Sequence, residues 1–184
     1  MPLYLKMYQP EEDSYIFSEF LEKHISNLKN KNIYYLDMGT GSGILAETAE
    51  KAGISRENII SADIEDNALK FVKKKGFNAV KSNLFSNIKK KFDLITFNAP
   101  YLPKNEFDKK KDTSGGKKGD EISIKFLKQA KKHLNKDGKI FLLISSLTPL
   151  ERINKFKPKI VAKRHIFFED LLILEFGNSS HKLF

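Results

Sequence analysis

The chain has no cysteine, which excludes disulfides, thiolate nucleophiles and cysteine-held zinc. Its four histidines, His24, His133, His165 and His181, are scattered without metal-ligand spacing, so no protein-bound metal is expected. Nowhere does it run to the ~18 uninterrupted apolar residues of a membrane span, and no basic segment followed by an apolar run opens it. A cytoplasmic protein without membrane association is expected. Internal repeats and low-complexity tracts are lacking too. With 40% hydrophobic residues, 15 of them phenylalanine, in 184 residues, there is enough apolar material for one core and a single domain over 1–184.

Positive charge is in excess, at a formal net +10. Clustered lysines would attract a polyanion. Here lysine is spread along the whole chain, as in a lysine-biased or heat-adapted proteome. Charge by itself therefore leaves nucleic acid as a possible partner without naming it.

After residue 32, short β-rich runs alternate with helical stretches, which predicts an α/β fold with a mostly parallel sheet. Apolar spacing over 11–28 (Ile16, Phe17, Phe20, Leu21, Ile25, Leu28) predicts an amphipathic helix within an amino-terminal helical region, 1–30. Strands follow at 33–37, 58–63, 78–81 and 92–97, with helices at 41–52 and 66–75 between them. The stretch 102–119 has no apolar period and reads as a substrate-side loop. Beyond it come a helix at 121–135, a strand at 139–144 and a short helix near Pro149. Two closing strands, 160–167 and 171–176, read as an antiparallel pair.

Two segments carry chemistry. In Tyr35-Leu36-Asp37-Met38-Gly39-Thr40-Gly41-Ser42-Gly43 a buried strand meets a glycine turn and a helix. Glycines let backbone approach a ligand and take positive φ, while the strand end directs Asp37 toward the carboxyl edge of the sheet. Ile44 stands where a dinucleotide fold has its third glycine, which disfavours NAD. Asp63, about 20 residues on, is placed to accept the hydroxyls of an adenosine ribose; it could equally cap the next helix.

The second segment, Asn98-Ala99-Pro100-Tyr101, ends the fourth strand. It offers an amide side chain, backbone carbonyls and an aromatic ring. The Asn98 oxygen and the Ala99 carbonyl suit two N–H bonds from a planar amide or exocyclic amine, with Tyr101 stacked on its plane. Asparagine is no general base, so catalysis here would rest on orientation and hydrogen-bond acceptance.

These residues resemble class I methyltransferases with an (Asn/Asp)-Pro-Pro-Tyr motif, and within them the HemK-like glutamine methyltransferases that modify translation release factors. Tyr8-Gln9-Pro10-Glu11-Glu12-Asp13-Ser14 resembles the amino-terminal Tyr-x-Pro-x-Glu-Asp-(Ser/Thr) segment of the archaeal and eukaryotic branch, and the likeness extends over nearly the whole chain. It implies a Rossmann-like fold: a mostly parallel seven-stranded sheet, a carboxyl-terminal antiparallel pair, and helices on both faces. It also implies S-adenosyl-L-methionine as cofactor, held by Ser14, Asp37, Gly39, Gly41, Asp63, Asn83, Leu84 and Asn98. Asn98, Ala99, Pro100 and Tyr101 would then form the catalytic turn.

The implied reaction is N5-methylation of the glutamine in a release factor's Gly-Gly-Gln loop, with a small zinc-binding activator protein as partner. Ala99 replaces the motif's first proline, and Asn83 stands where many relatives have aspartate. Asp112-Thr113-Ser114-Gly115-Gly116 resembles the family's glycine-bearing loop, or is a flexible linker. Lys104, Lys109, Lys110, Lys111, Lys117 and Lys118 beside it suit phosphate or simply solvent. Two alternatives remain: an N6-adenine methyltransferase of RNA or DNA, and an inactive donor-binding module.

Overall fold

In the computed structural model, which describes residues 10–100 and 119–177, the segment with helical apolar spacing forms α1 (Glu12–Ser26). Its stripe of Phe17, Leu21 and Ile25 is fully buried. Glu12 and Asp13 in the first turn and Lys23 in the last complement the helix dipole. The strands β1 (Tyr35–Met38), β2 (Ile59–Asp63), β3 (Asn78–Lys81) and β4 (Phe92–Asn98) follow, with α2 (Ile44–Lys51) and α3 (Asp66–Lys74) between them. After the undescribed segment come α4 (Glu121–Ala130), β5 (Leu134–Ser145), α5 (Leu150–Asn154), β6 (Lys159–Ile166) and β7 (Glu169–Gly177).

All seven strands join one sheet in the order β3-β2-β1-β4-β5-β7-β6. The pairs among β1 to β5 are parallel, and β7 runs antiparallel to both β5 and β6. This is the Rossmann-like architecture expected above, closing pair included. Side chains alternate across a strand. Thus Ile140, Leu142 and Ile144 of β5 join the core beneath α4 and α5, while Phe141 and Leu143 join the core beneath α1 and α2. The chain leaves β1 through α2 to β2 on one side, whereas β4 lies on the other. That reversal opens a crevice at the carboxyl ends of β1 and β4.

Three expected boundaries move by three residues or more. The helix expected at 41–52 begins at Ile44, because Gly41 and Gly43 sit at φ +48° and +76°, outside helical geometry. The helix expected at 121–135 ends at Ala130, and a single 3₁₀ turn, Lys131–His133, leads into β5 at Leu134, ahead of the expected 139. Leu134 pairs with Phe92 and Lys139 with Leu94, so the residues between them bulge out of register. Gly138 is needed there: a Cβ would lie 2.9 Å from the Phe92 carbonyl oxygen. Among the described residues, no helix is long and apolar enough to cross a membrane.

Candidate active site

Beyond β1 the chain turns through Gly39, at φ +65°, then Gly41 and Gly43. Gly39 also lacks room for a side chain, since a Cβ would sit 3.0 Å from the Phe97 ring. The turn is fastened to β2. Gly41 N–H donates to Asp63 Oδ2 at 2.9 Å and Thr40 N–H to the Ala62 carbonyl at 3.0 Å. Asp63 Oδ1 accepts the Glu65 N–H at 2.9 Å. The buried Asp63 carboxylate thus shapes the glycine turn while standing at the mouth of the crevice.

Asp37 is buried, and the Thr40 hydroxyl donates to its Oδ2 at 2.6 Å. Burial raises its pKa to about 7, opposed by the Thr40 hydrogen bond and reinforced by the Asp63 charge. A cation entering this pocket would favour the ionised form. Ser82 joins the end of β3 to β2, its N–H donating to the Asp63 carbonyl at 2.9 Å. Its hydroxyl donates to the Leu84 carbonyl at 2.6 Å and accepts the Asn87 N–H at 3.0 Å. This bend buries Leu84 at φ +52° and leaves Asn83 exposed.

Asn98 closes β4 beneath the start of α1. Its Nδ2 donates to Asp13 Oδ2 at 3.1 Å and to Ser14 Oγ at 3.4 Å. A carboxylate can only accept, so the amide nitrogen must face Asp13, which fixes the flip state. Oδ1 then points the other way, buried and without a partner among the described groups. Leaving such an acceptor unpaired costs roughly 1–3 kcal/mol, so it is poised to receive an N–H.

Ala99 is buried and Pro100 half-buried. Tyr101 and residues 102–118, with the lysines and the glycine pair expected there, lie outside the described residues, as do Tyr8 and Gln9. Sequence reasoning named Ser14 but passed over Asp13. The contact to Asn98 spans 85 residues, and the only available signal was its position next to Ser14 in the amino-terminal motif.

Ser14, Asp37, Gly39, Gly41, Asp63, Leu84 and Asn98 thus gather around the carboxyl ends of β1 to β4, with Asn83 at the rim. Buried acids beside a close-approach glycine turn, and an unpaired amide oxygen at the switch point, fit a cationic ligand bearing a ribose diol. The methyltransferase small domain family matches residues 15–180, and the chain belongs to that family of S-adenosylmethionine-dependent methyltransferases.

Within that family the chain is 35% identical to a Methanocaldococcus jannaschii protein provisionally named a protein N5-glutamine methyltransferase, covering 95% of this chain and 93% of that one. It is 36% identical to the release factor glutamine methyltransferase of Borreliella burgdorferi over 58% of this chain and 43% of that protein. It therefore spans less than half the length of this second relative. The fold matches ribosomal protein L11 methylase from Lactobacillus delbrueckii subsp. bulgaricus with a TM-score of 0.67, at 20% identity over 95% of this chain and 88% of that one. It also matches the T. thermophilus 16S rRNA N2 G1207 methyltransferase, solved with AdoMet and guanosine, with a TM-score of 0.64, at 16% identity over 94% and 45%.

Proposed function

We propose that this chain methylates the side-chain amide nitrogen of a protein glutamine, the one in the Gly-Gly-Gln loop of a translation release factor. The observation that carries the reading is the buried, unpartnered Asn98 Oδ1, with its amide flip fixed by Asp13. An acceptor of this kind selects a planar N–H₂ group and turns its lone pair toward the crevice. On this reading Asp63 takes the ribose hydroxyls, Asp37 the cationic end of the donor, and Leu84 and Asn83 the adenine side. When bound, S-adenosylmethionine would supply an electrophilic methyl group, the new N–C bond forming as the C–S bond breaks, with a thioether left behind and one N–H proton passing to water.

Asn98 Oδ1 gains strength as acceptor while the amide nitrogen becomes positive, so its contribution grows toward the transition state. The two relatives named for glutamine methylation support a protein amide over a base. A small zinc-binding activator is part of this reading, as the family resemblance implies. The net charge of +10 favours the second reading, methylation of adenine in RNA or DNA.

Methyl-labelled donor distinguishes them when the protein, with and without activator, is offered intact release factor, a factor with the loop glutamine changed to alanine, RNA and DNA. Label is expected in the intact factor alone. Asn98→Ala should lower kcat by about 10²–10³, the range for removing one preorganised hydrogen-bonding group. Label confined to nucleic acid would establish the second reading instead. Tight donor binding with no label anywhere would indicate an inactive module.

A further inference from the structure

The β6–β7 connection is built against ordinary turn chemistry. Ile166 pairs with Glu169, so Phe167 and Phe168 alone form the turn. Two-residue hairpin loops favour glycine, asparagine or aspartate, because at least one position needs positive φ. Phe167 occupies that position at φ +45°, where a bulky side chain is strained by on the order of 1 kcal/mol or more. Both rings stand in solvent, Phe167 81% and Phe168 94% exposed, with centroids 6.5 Å apart. Folding gains little from either ring, so their reason lies outside the fold.

The tip is held firmly. Ser146 N–H donates to the Asp170 carbonyl at 2.7 Å, Asp170 N–H returns to Ser146 Oγ at 2.9 Å, and Ser145 Oγ donates to Glu169. These bonds bring the β5–α5 loop alongside the tip, and with it Leu147, itself 61% exposed. The location is informative. Asn98 is level with Leu143 of β5, and Leu143 with Ile173 of β7. The strand runs on from Ile173 toward Phe168, rising about 16 Å above the level of Asn98 at ~3.3 Å per residue. Sideways, the tip is two to three strand spacings of roughly 4.8 Å away. It overhangs the catalytic edge beyond the reach of a small molecule, where the body of a macromolecule presenting a loop to Asn98 would pass.

We infer that Phe167, Phe168 and Leu147 form a docking surface for an apolar patch on the folded protein substrate, a proposal that rests on the protein-glutamine reading above. Local charge selects protein over nucleic acid. Glu169 and Asp170 follow the rings directly, and Asp170 engages both Lys163 at 2.8 Å and His165 at 3.0 Å. A phosphate backbone laid on this tip would meet two acids and find its nearest cations already paired. Leu147 offers aliphatic surface, which packs against apolar side chains and gives no stacking plane for a base.

The test is Phe167→Gly combined with Phe168→Ser, which installs residues that a two-residue turn prefers and relieves the strain. Tm should be unchanged or raised and donor affinity unchanged. KM for the intact release factor should rise about tenfold or more, with kcat at saturation retained. Leu147→Ser, away from the strained turn, should raise KM about threefold.

An unchanged KM in both variants, with the wild-type protein methylating the factor, would overturn the docking surface and leave the glutamine reading standing. Label delivered by the wild-type protein to RNA in place of the factor would defeat the glutamine reading itself, and this occupant with it. An RNA KM raised by the double variant would reassign the rings to bases.

Discussion

Asp13 holds Asn98 by a contact that works in one sense only. A carboxylate accepts from the amide nitrogen and cannot accommodate the oxygen. In Asp13→Asn the partner can donate as well as accept, so Asn98 becomes free to flip and to spend its oxygen inward. The expected result is a kcat lowered about tenfold or more, with donor affinity changed less than about twofold, because only orientation of the acceptor amide is lost. Steady-state kinetics paired with donor titration reads both quantities, and an unchanged kcat would remove Asp13 from the mechanism.

Asp37 gives a prediction of another kind. Its pKa in the folded protein is about 7, above the ordinary carboxylate value, so between roughly pH 4 and pH 7 the folded state holds a proton that the unfolded chain has released. Ligand-free stability attributable to this group therefore falls as pH rises through that window, on the order of 4 kcal/mol at 1.36 kcal/mol per unit. Asp37→Asn should flatten that part of the profile in denaturant titrations. Below pH 7, binding of the cationic donor should be accompanied by proton release, visible as a buffer-dependent heat. The placement of Asp37, Asp63 and Asn98 at the carboxyl ends of their strands could be read from sequence because each strand's pattern is local. The Asp13 contact could not, because a fold must first bring α1 over β4.

At the level of elements, every α-helix and strand among the described residues was legible in the sequence, but not the 3₁₀ turns or the ends where sterics overrule pattern. The glycines that identified the turn also delay α2 to Ile44. The bulge at Gly138 lets β5 start at Leu134 although the apolar alternation begins only at 139. The junction of α4 and α5 was not legible at all. Arg152 of α5 makes two hydrogen bonds, each 2.8 Å, to the carboxylate of Asp120 at the head of α4. That carboxylate is completely buried, whereas the Arg152 side chain is 42% exposed. Arg152→Ala strands a buried carboxylate at the head of α4. With the exposed half of the pair discounted for solvent screening, the expected loss is roughly 1–3 kcal/mol. For a protein of this size that lowers Tm by about 3–10 °C, measurable by calorimetry, while donor affinity should be retained.

For the molecule as a whole, the alternation of strand and helix indicated a parallel sheet, but strand order is a long-range property that no local pattern carries. Likewise the net charge announces lysine in abundance without saying where it gathers. The order found leaves β3 and β6 as the two outer strands. Each carries cations: Lys81 on β3, and Lys159, Lys163 and Arg164 on β6. A flank of this kind has unsatisfied backbone groups that invite another copy's strand to join and extend the sheet indefinitely. Here Lys81, Lys163 and Arg164 are held by Asp66, Asp170 and Glu19, so an incoming strand would have to push long, ion-paired side chains off their partners before the backbones could zip together.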